Sequence, residues 1–103
     1  MNLLKETQEA LKHWGYKQKD IIGVGDNKAS CTWSKFKKLV KNIDYDNGYG
    51  GQKINRNLYV MLSDGTWFSR NEYDGSEWWR HISQPELGLE IFTEDMLWEC
   101  NQQ

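Results

Sequence analysis

Two Asp-Gly pairs, Asp64-Gly65 and Asp74-Gly75, each stand between short runs of β-branched and aromatic residues, and they constrain the fold more than any other feature of the chain. A tight hairpin turn needs residues that accept positive φ, which Asp-Gly supplies. The runs so joined are Leu58-Tyr59-Val60-Met61-Leu62, Thr66-Trp67-Phe68-Ser69-Arg70 and Glu77-Trp78-Trp79-Arg80-His81-Ile82. Two such turns in succession predict an antiparallel meander of three strands.

The first half supplies what can cover that sheet. Leu3, Leu4, Thr7, Ala10, Leu11 and Trp14 follow helical spacing, and Gly15 stands where a helix would end. Asp20 to Gly25 reads as a strand closing in a Gly-Asp-Asn turn. Thr32 can cap a second helix that shows Trp33, Phe36, Leu39 and Val40 on one face and Lys35, Lys37, Lys38 and Lys41 on the other. That basic face reads most simply as solvated. Residues 42–53, NIDYDNGYGGQK, have three glycines and no periodicity, which predicts a loop. Beyond Pro85, Leu87 to Phe92 can extend again, and Thr93 can cap a short helix from Glu94 to about Cys100.

The expected fold is α+β, with two amphipathic helices packed on an antiparallel β-meander and a short C-terminal helix, in one domain spanning residues 1–103. A chain of this length buries roughly two-thirds of its unfolded surface, enough for one core. Six Trp, five Tyr and three Phe make that core aromatic. No run approaches the ~20 apolar residues of a membrane span, and the N-terminus lacks a basic segment followed by an apolar one. A cytoplasmic protein without membrane association is expected. Cys31 and Cys100 lie far apart and form no CxxC or Cys/His cluster, so in a reducing compartment both are expected free.

No chemistry-bearing constellation stands out. His13 and His81 have no flanking nucleophile motif, so no catalytic residues are assigned and a non-enzymatic protein is expected. The glycine loop Asn47-Gly48-Tyr49-Gly50-Gly51-Gln52 lacks the GxxxxGK[ST] pattern of phosphate-binding loops. Asp26, Asp44, Asp46 and Asn47 lack the EF-hand spacing, so neither a metal nor a cofactor is expected.

Binding features are stronger. Trp67, Phe68, Arg70, Trp78, Trp79 and Arg80 interleave rings with cations, as a single-stranded nucleic-acid platform would. Strand alternation sends about half of them into the core, and adjacent Trp78 and Trp79 to opposite faces. One of the two is then buried and the other exposed, or covered by a late residue such as Trp98. Acidic Glu72, Asp74 and Glu77 favour a protein partner with a basic surface over a phosphate backbone. The charge is also split. Residues 1–50 hold nine Lys against six acidic side chains, and residues 51–103 four Lys or Arg against nine.

Three strings carry a resemblance: Trp33-Ser34-Lys35-Phe36-Lys37-Lys38-Leu39, Tyr45-Asp46-Asn47-Gly48-Tyr49-Gly50-Gly51-Gln52, and Arg70-Asn71-Glu72-Tyr73-Asp74-Gly75-Ser76-Glu77-Trp78-Trp79. Across roughly residues 3–83 the chain resembles small uncharacterised proteins encoded by phages and prophages of Gram-positive bacteria. It departs from them at Met61-Leu62-Ser63-Asp64-Gly65, where a more aliphatic strand end would be expected. The resemblance implies a phage-type accessory protein that binds and inhibits a host protein or ribonucleoprotein complex, such as a CRISPR or restriction nuclease. The expected partner-binding residues are Tyr45, Tyr49 and Gln52 from the loop with Glu72, Tyr73, Asp74 and one of Trp78 or Trp79 from the second hairpin. The same residues could instead lock the loop against the sheet. The alternative function is a single-stranded nucleic-acid or nucleotide-binding module using the lysine face and the sheet aromatics.

Overall fold

The first helix, α1 (Leu3–His13), begins where the Asn2 side chain accepts the Lys5 N–H at 2.9 Å, and it turns Leu3, Thr7 and Leu11 inward. The computed structural model describes residues 1–48, 50–84 and 88–98 of the chain. A single 3-10 turn over Gln18–Asp20 leads into β1 (Ile21–Gly25). The chain then reverses through Asp26, whose carboxylate accepts the N–H groups of Lys28 and Ala29 at 2.9 Å each. The return is β2 (Ser30–Cys31), a strand of two residues, too short to show any period in the sequence. Thr32 caps α2 (Trp33–Val40) by accepting the Lys35 N–H at 3.2 Å. Trp33, Phe36 and Val40 face the core as their spacing predicts, while Leu39 is exposed.

The meander follows as β3 (Tyr59–Leu62), β4 (Trp67–Tyr73) and β5 (Ser76–Ile82). Asp74 and Gly75 both have positive φ, +53° and +85°, which is the turn that an Asp-Gly pair favours. The first half adds to this sheet as well as covering it. β1 pairs with β3 and β2 with β1, giving a five-stranded antiparallel sheet in the order β2-β1-β3-β4-β5. The fold is thus α+β, with both helices on one face of the sheet. Val24, Val60, Leu62, Phe68 and Trp79 project from that face into a core shared with Leu3, Leu11, Phe36 and Val40. A register shift between Ile21 and Gly23 leaves Ile22 exposed on β1.

Near the C-terminus the helical segment is a 3-10 turn over Glu94–Leu97, and the Thr93 side chain makes no capping bond to it. Against the helix expected to reach Cys100, Trp98 is already extended, with Glu99 and Cys100 outside the described residues; of the extended run expected over residues 87–92, residues 88–92 form no strand and Leu87 lies outside. Among the described residues no helix is long and apolar enough to cross a membrane.

The β1–β2 reversal depends on one absent side chain. A Cβ on Gly25 would stand 2.2 Å from the Ala29 carbonyl oxygen, whereas one on Gly23 would meet nothing nearer than 3.9 Å. Gly25→Ala is expected to destabilise the protein by about 1–3 kcal/mol through forced backbone movement. Gly23→Ala should be close to neutral. Urea unfolding of both variants checks the contrast.

Candidate functional site

Alternation along β4 and β5 sorts their side chains onto two surfaces of different chemistry. Phe68, Arg70, Glu77 and Trp79 turn toward the helices and are buried. Arg70 Nη1 meets Glu6 Oε2 of α1 at 2.6 Å, and its Nη2 meets Glu77 Oε1 at 3.0 Å and the Tyr45 hydroxyl at 3.1 Å. The guanidinium also lies 4.7 Å from the centre of the Trp79 ring. Burial opposes its charge, but the hydrogen bonds and charge of Glu6, with help from Tyr45 and Glu77, outweigh that and hold Arg70 above its ordinary pKa.

The same network anchors the loop between α2 and β3. The Tyr45 hydroxyl donates to Glu6 Oε1, and burial, reinforced by that bond, pushes its phenol up to about 12. Glu77 accepts the N–H groups of Lys53 at 2.6 Å and Ile54 at 3.2 Å. Asn47 exchanges two bonds with the Glu77 backbone, at 2.8 and 3.2 Å. Trp79 Nε1 donates to the Thr7 hydroxyl at 2.8 Å, which itself donates to the Leu3 carbonyl.

A second polar cluster closes the other end of the sheet. The Tyr16 hydroxyl lies 2.6 Å from Asp64 Oδ2 and 3.1 Å from both Thr66 Oγ1 and His81 Nε2, and Thr66 Oγ1 donates to Asp64 Oδ1 at 2.6 Å. With both hydroxyl protons directed at Asp64, His81 Nε2 is the donor toward Thr66 at 2.9 Å. Hydrogen bonds from Thr66 and then Tyr16 hold the Asp64 carboxyl down at about 2, and the bond to Asp64 raises the Tyr16 phenol. These groups satisfy one another, and the Trp14 ring covers His81 at 4.9 Å between centres. The cluster staples the chain after α1 to the β3–β4 turn. Among the described residues no group of three or more His, Cys, Asp and Glu is placed to hold a metal ion.

The opposite face of the sheet carries the candidate site. Its outward positions run in cross-strand rows: Met61 beside Trp67 beside Ile82, Tyr59 beside Ser69 beside Arg80, and Asn71 beside Trp78. Gly23 and Gly25 continue these rows on β1 without side chains, and a depression of about 290 Å³ opens there between Ile22, Ser30, Tyr59 and Met61. Trp78 is 40 % exposed and Met61 38 %. No Asp, Glu or Lys side chain occupies an outward position of β3, β4 or β5, and Arg80 is the one charge there. Depletion of Lys, Glu and Asp with enrichment of Trp, Tyr, Met and Arg is the composition of a protein interface core.

The residues expected to bind a partner are therefore divided. Tyr45 and Trp79 are buried in the Arg70 network, the loop-locking role left open above. Gln52 is half-buried in the same loop as Tyr45, and Tyr49 lies outside the described residues. Glu72 accepts the Gly75 N–H at 2.8 Å across the hairpin turn, where Asp74 is exposed and Tyr73 is 77 % exposed. Of the set, Trp78 stands on the open face and Tyr73 shares its outward phase at the hairpin end. Of the platform residues Trp67, Phe68, Arg70, Trp78, Trp79 and Arg80, the structure brings Trp67, Trp78 and Arg80 together there. Tyr59, Met61 and Ile82 join them unannounced, although period-two phasing with Trp67 is the signal that finds them.

The Tyr45 phenol gives the network a pH signature. Its folded pKa lies above the ordinary value of about 10, so its contribution is complete below that pH and is lost as pH rises through about 12. Between those limits wild-type stability should fall more steeply with pH than that of Tyr45→Phe, which has no phenol to ionise. Denaturant titrations across that range, with phenolate absorbance as the second reading, measure it.

Comparison of the chain with protein-family models, with curated proteins and with solved structures finds no match to any of them.

Proposed function

We propose that this chain is a non-enzymatic protein-binding module that docks a partner on the open face of its sheet. In the setting that its sequence resemblance implies, the partner is a host protein or ribonucleoprotein complex that the module occupies and disables, a defence nuclease being the leading example. One observation carries the reading: Tyr59, Met61, Trp67, Trp78, Arg80 and Ile82 share a face with no acidic or lysine side chain among them. Large rings with an arginine at their centre are what dominate interface energetics, because they remove much area from water while ordering few torsions. The exposed turn residues Tyr73 and Asp74 lie on the same hairpin as Trp78 and extend the surface at its rim.

The nucleic-acid reading draws on the same rings, since bases stack on Trp and Tyr. Phosphate binding is cumulative, and each neutralised phosphate needs its own cation. Arg80 is the one cation that this face offers, and the α2 lysines belong to the helix layer behind the sheet. The face fits an apolar protein surface better than a phosphodiester chain.

Capture from nuclease-treated lysate of a Gram-positive host, with wild type beside Trp78→Ala and Met61→Asp variants, tests the reading. Both side chains are partly exposed, so thermal melts of the variants should match wild type closely. The expected result is a host complex retained by wild type and weakened by about 2 kcal/mol or more in Trp78→Ala. Equal retention by all three proteins would remove the open face from the interaction. Capture only of nucleic acid, from untreated lysate and with steep salt dependence, would transfer the site to the nucleic-acid reading.

A further inference from the structure

Two apolar surfaces away from the open face have no partner among the described residues. The first is a groove of about 320 Å³ where β1 and β2 meet α2, walled by Cys31, Phe36, Leu39, Val40 and Leu58. Leu39 is 59 % exposed at its lip, and β2 is the edge of the sheet, where an extended segment can lie alongside. Its rim is positive. Lys35 lines it, Lys38 follows one turn later on α2, and Lys28 stands in the adjoining turn. The acidic lining residue Asp26 is already engaged by Lys28 N, Ala29 N and the Asn55 amide, at 2.9, 2.9 and 3.0 Å.

The second surface is the segment of residues 88–98. Leu89, Ile91, Phe92, Met96, Leu97 and Trp98 are all exposed there. Between them stand Glu90, Glu94 and Asp95, with no Lys or Arg. So much unpartnered apolar surface is unusual in a monomer and marks an interaction site.

We propose that the acidic, apolar segment 88–98 of one copy seats in the lysine-rimmed groove of a second copy. Charge complementarity selects this groove over the open sheet face, which offers Arg80 alone. Leu89 and Ile91, two residues apart, come onto one side of the chain and enter the groove together once the bend at Leu89 and Glu90 straightens against it. The chain leaves the sheet at the end of β5, and the groove lies at the opposite edge, beyond β4, β3 and β1. Across a pair of copies the exchange is reciprocal and closes as a twofold dimer.

Sedimentation across a range of concentrations tests this with the full chain. The expected result is a dimer for wild type that dissociates as salt is raised, and monomers for Leu39→Glu (groove) and Ile91→Glu (segment). Mixing the two variants should restore a heterodimer, because one intact groove and one intact segment remain to meet. Leu39 and Ile91 are exposed, so thermal melts should show both variants folded, and Lys35→Glu with Lys38→Glu gives a second groove variant that removes no apolar area. A wild-type monomer at every concentration overturns the proposal, as does a mixture that stays monomeric. A dimer that survives both groove variants but is lost in Trp78→Ala also overturns it, by moving the contact to the open face.

Discussion

The Arg70 guanidinium is the constraint around which the rest of the protein is arranged. A buried cation costs several kcal/mol in lost hydration unless neighbours replace the water. Here the replacements come from four parts of the chain: Glu6 on α1, Tyr45 in the loop, Glu77 on β5 and the face of the Trp79 ring. The two carboxylates outnumber the one cation, and the backbone N–H groups of Lys53 and Ile54 take up part of the excess on Glu77. Removing Arg70 leaves Glu6 and Glu77 without their shared cation, so helix, loop and hairpin hold their positions together. The glycine loop is therefore tied down through Tyr45, Asn47, Lys53 and Ile54.

Much of this fold is legible in the sequence where the physics is local. Asp74-Gly75 accepts positive φ at both positions, and Thr32 caps α2, because turn and cap chemistry act within a few residues. The opposite facing of Trp78 and Trp79 follows from strand alternation. Which of them faces inward does not, because that choice rests on Trp79 pairing with Arg70 across the hairpin and reaching Thr7, 72 residues away. Tyr45 is similar. Its ring in a glycine-rich loop must dock somewhere, but its partners Glu6 and Arg70 lie 39 and 25 residues distant. The strand β2 carries no signal of its own, since two residues cannot display a period.

The candidate site was half legible for the same reason. A single strand shows that Trp67 and Arg70 differ in phase, and so cannot share a face. Which face lies open depends on where the helices pack, and that is set by the apolar stripe of α1 meeting Phe68 and Trp79 rather than Trp67 and Trp78. Once α1 is placed, Tyr59, Met61 and Ile82 follow by pairing register alone.

The meander also departs from a simple sorting of apolar side chains inward and polar ones outward. Inward positions of β4 and β5 hold Arg70, Glu77 and His81 among Phe68 and Trp79, while outward positions hold Trp67, Trp78 and Ile82 beside Arg80. A slip of one residue along β4 would bury Trp67 but expose Phe68 with Arg70, and one along β5 would bury Trp78 and Arg80 but expose Trp79 with Glu77, so apolar burial alone separates the registers little. The bonds from Arg70 to Glu6, Glu77 and Tyr45 oppose that slip, since each needs Arg70 on the inward face. Buried ionic groups add little to stability by comparison with well-packed apolar ones, and their best-attested use is to fix a register. A sheet that uses buried charge to keep Trp67 and Trp78 facing outward departs from local folding preference, and such departures concentrate at functional surfaces. The buried network and the open aromatic face are thus two sides of one arrangement, the first holding the second in place.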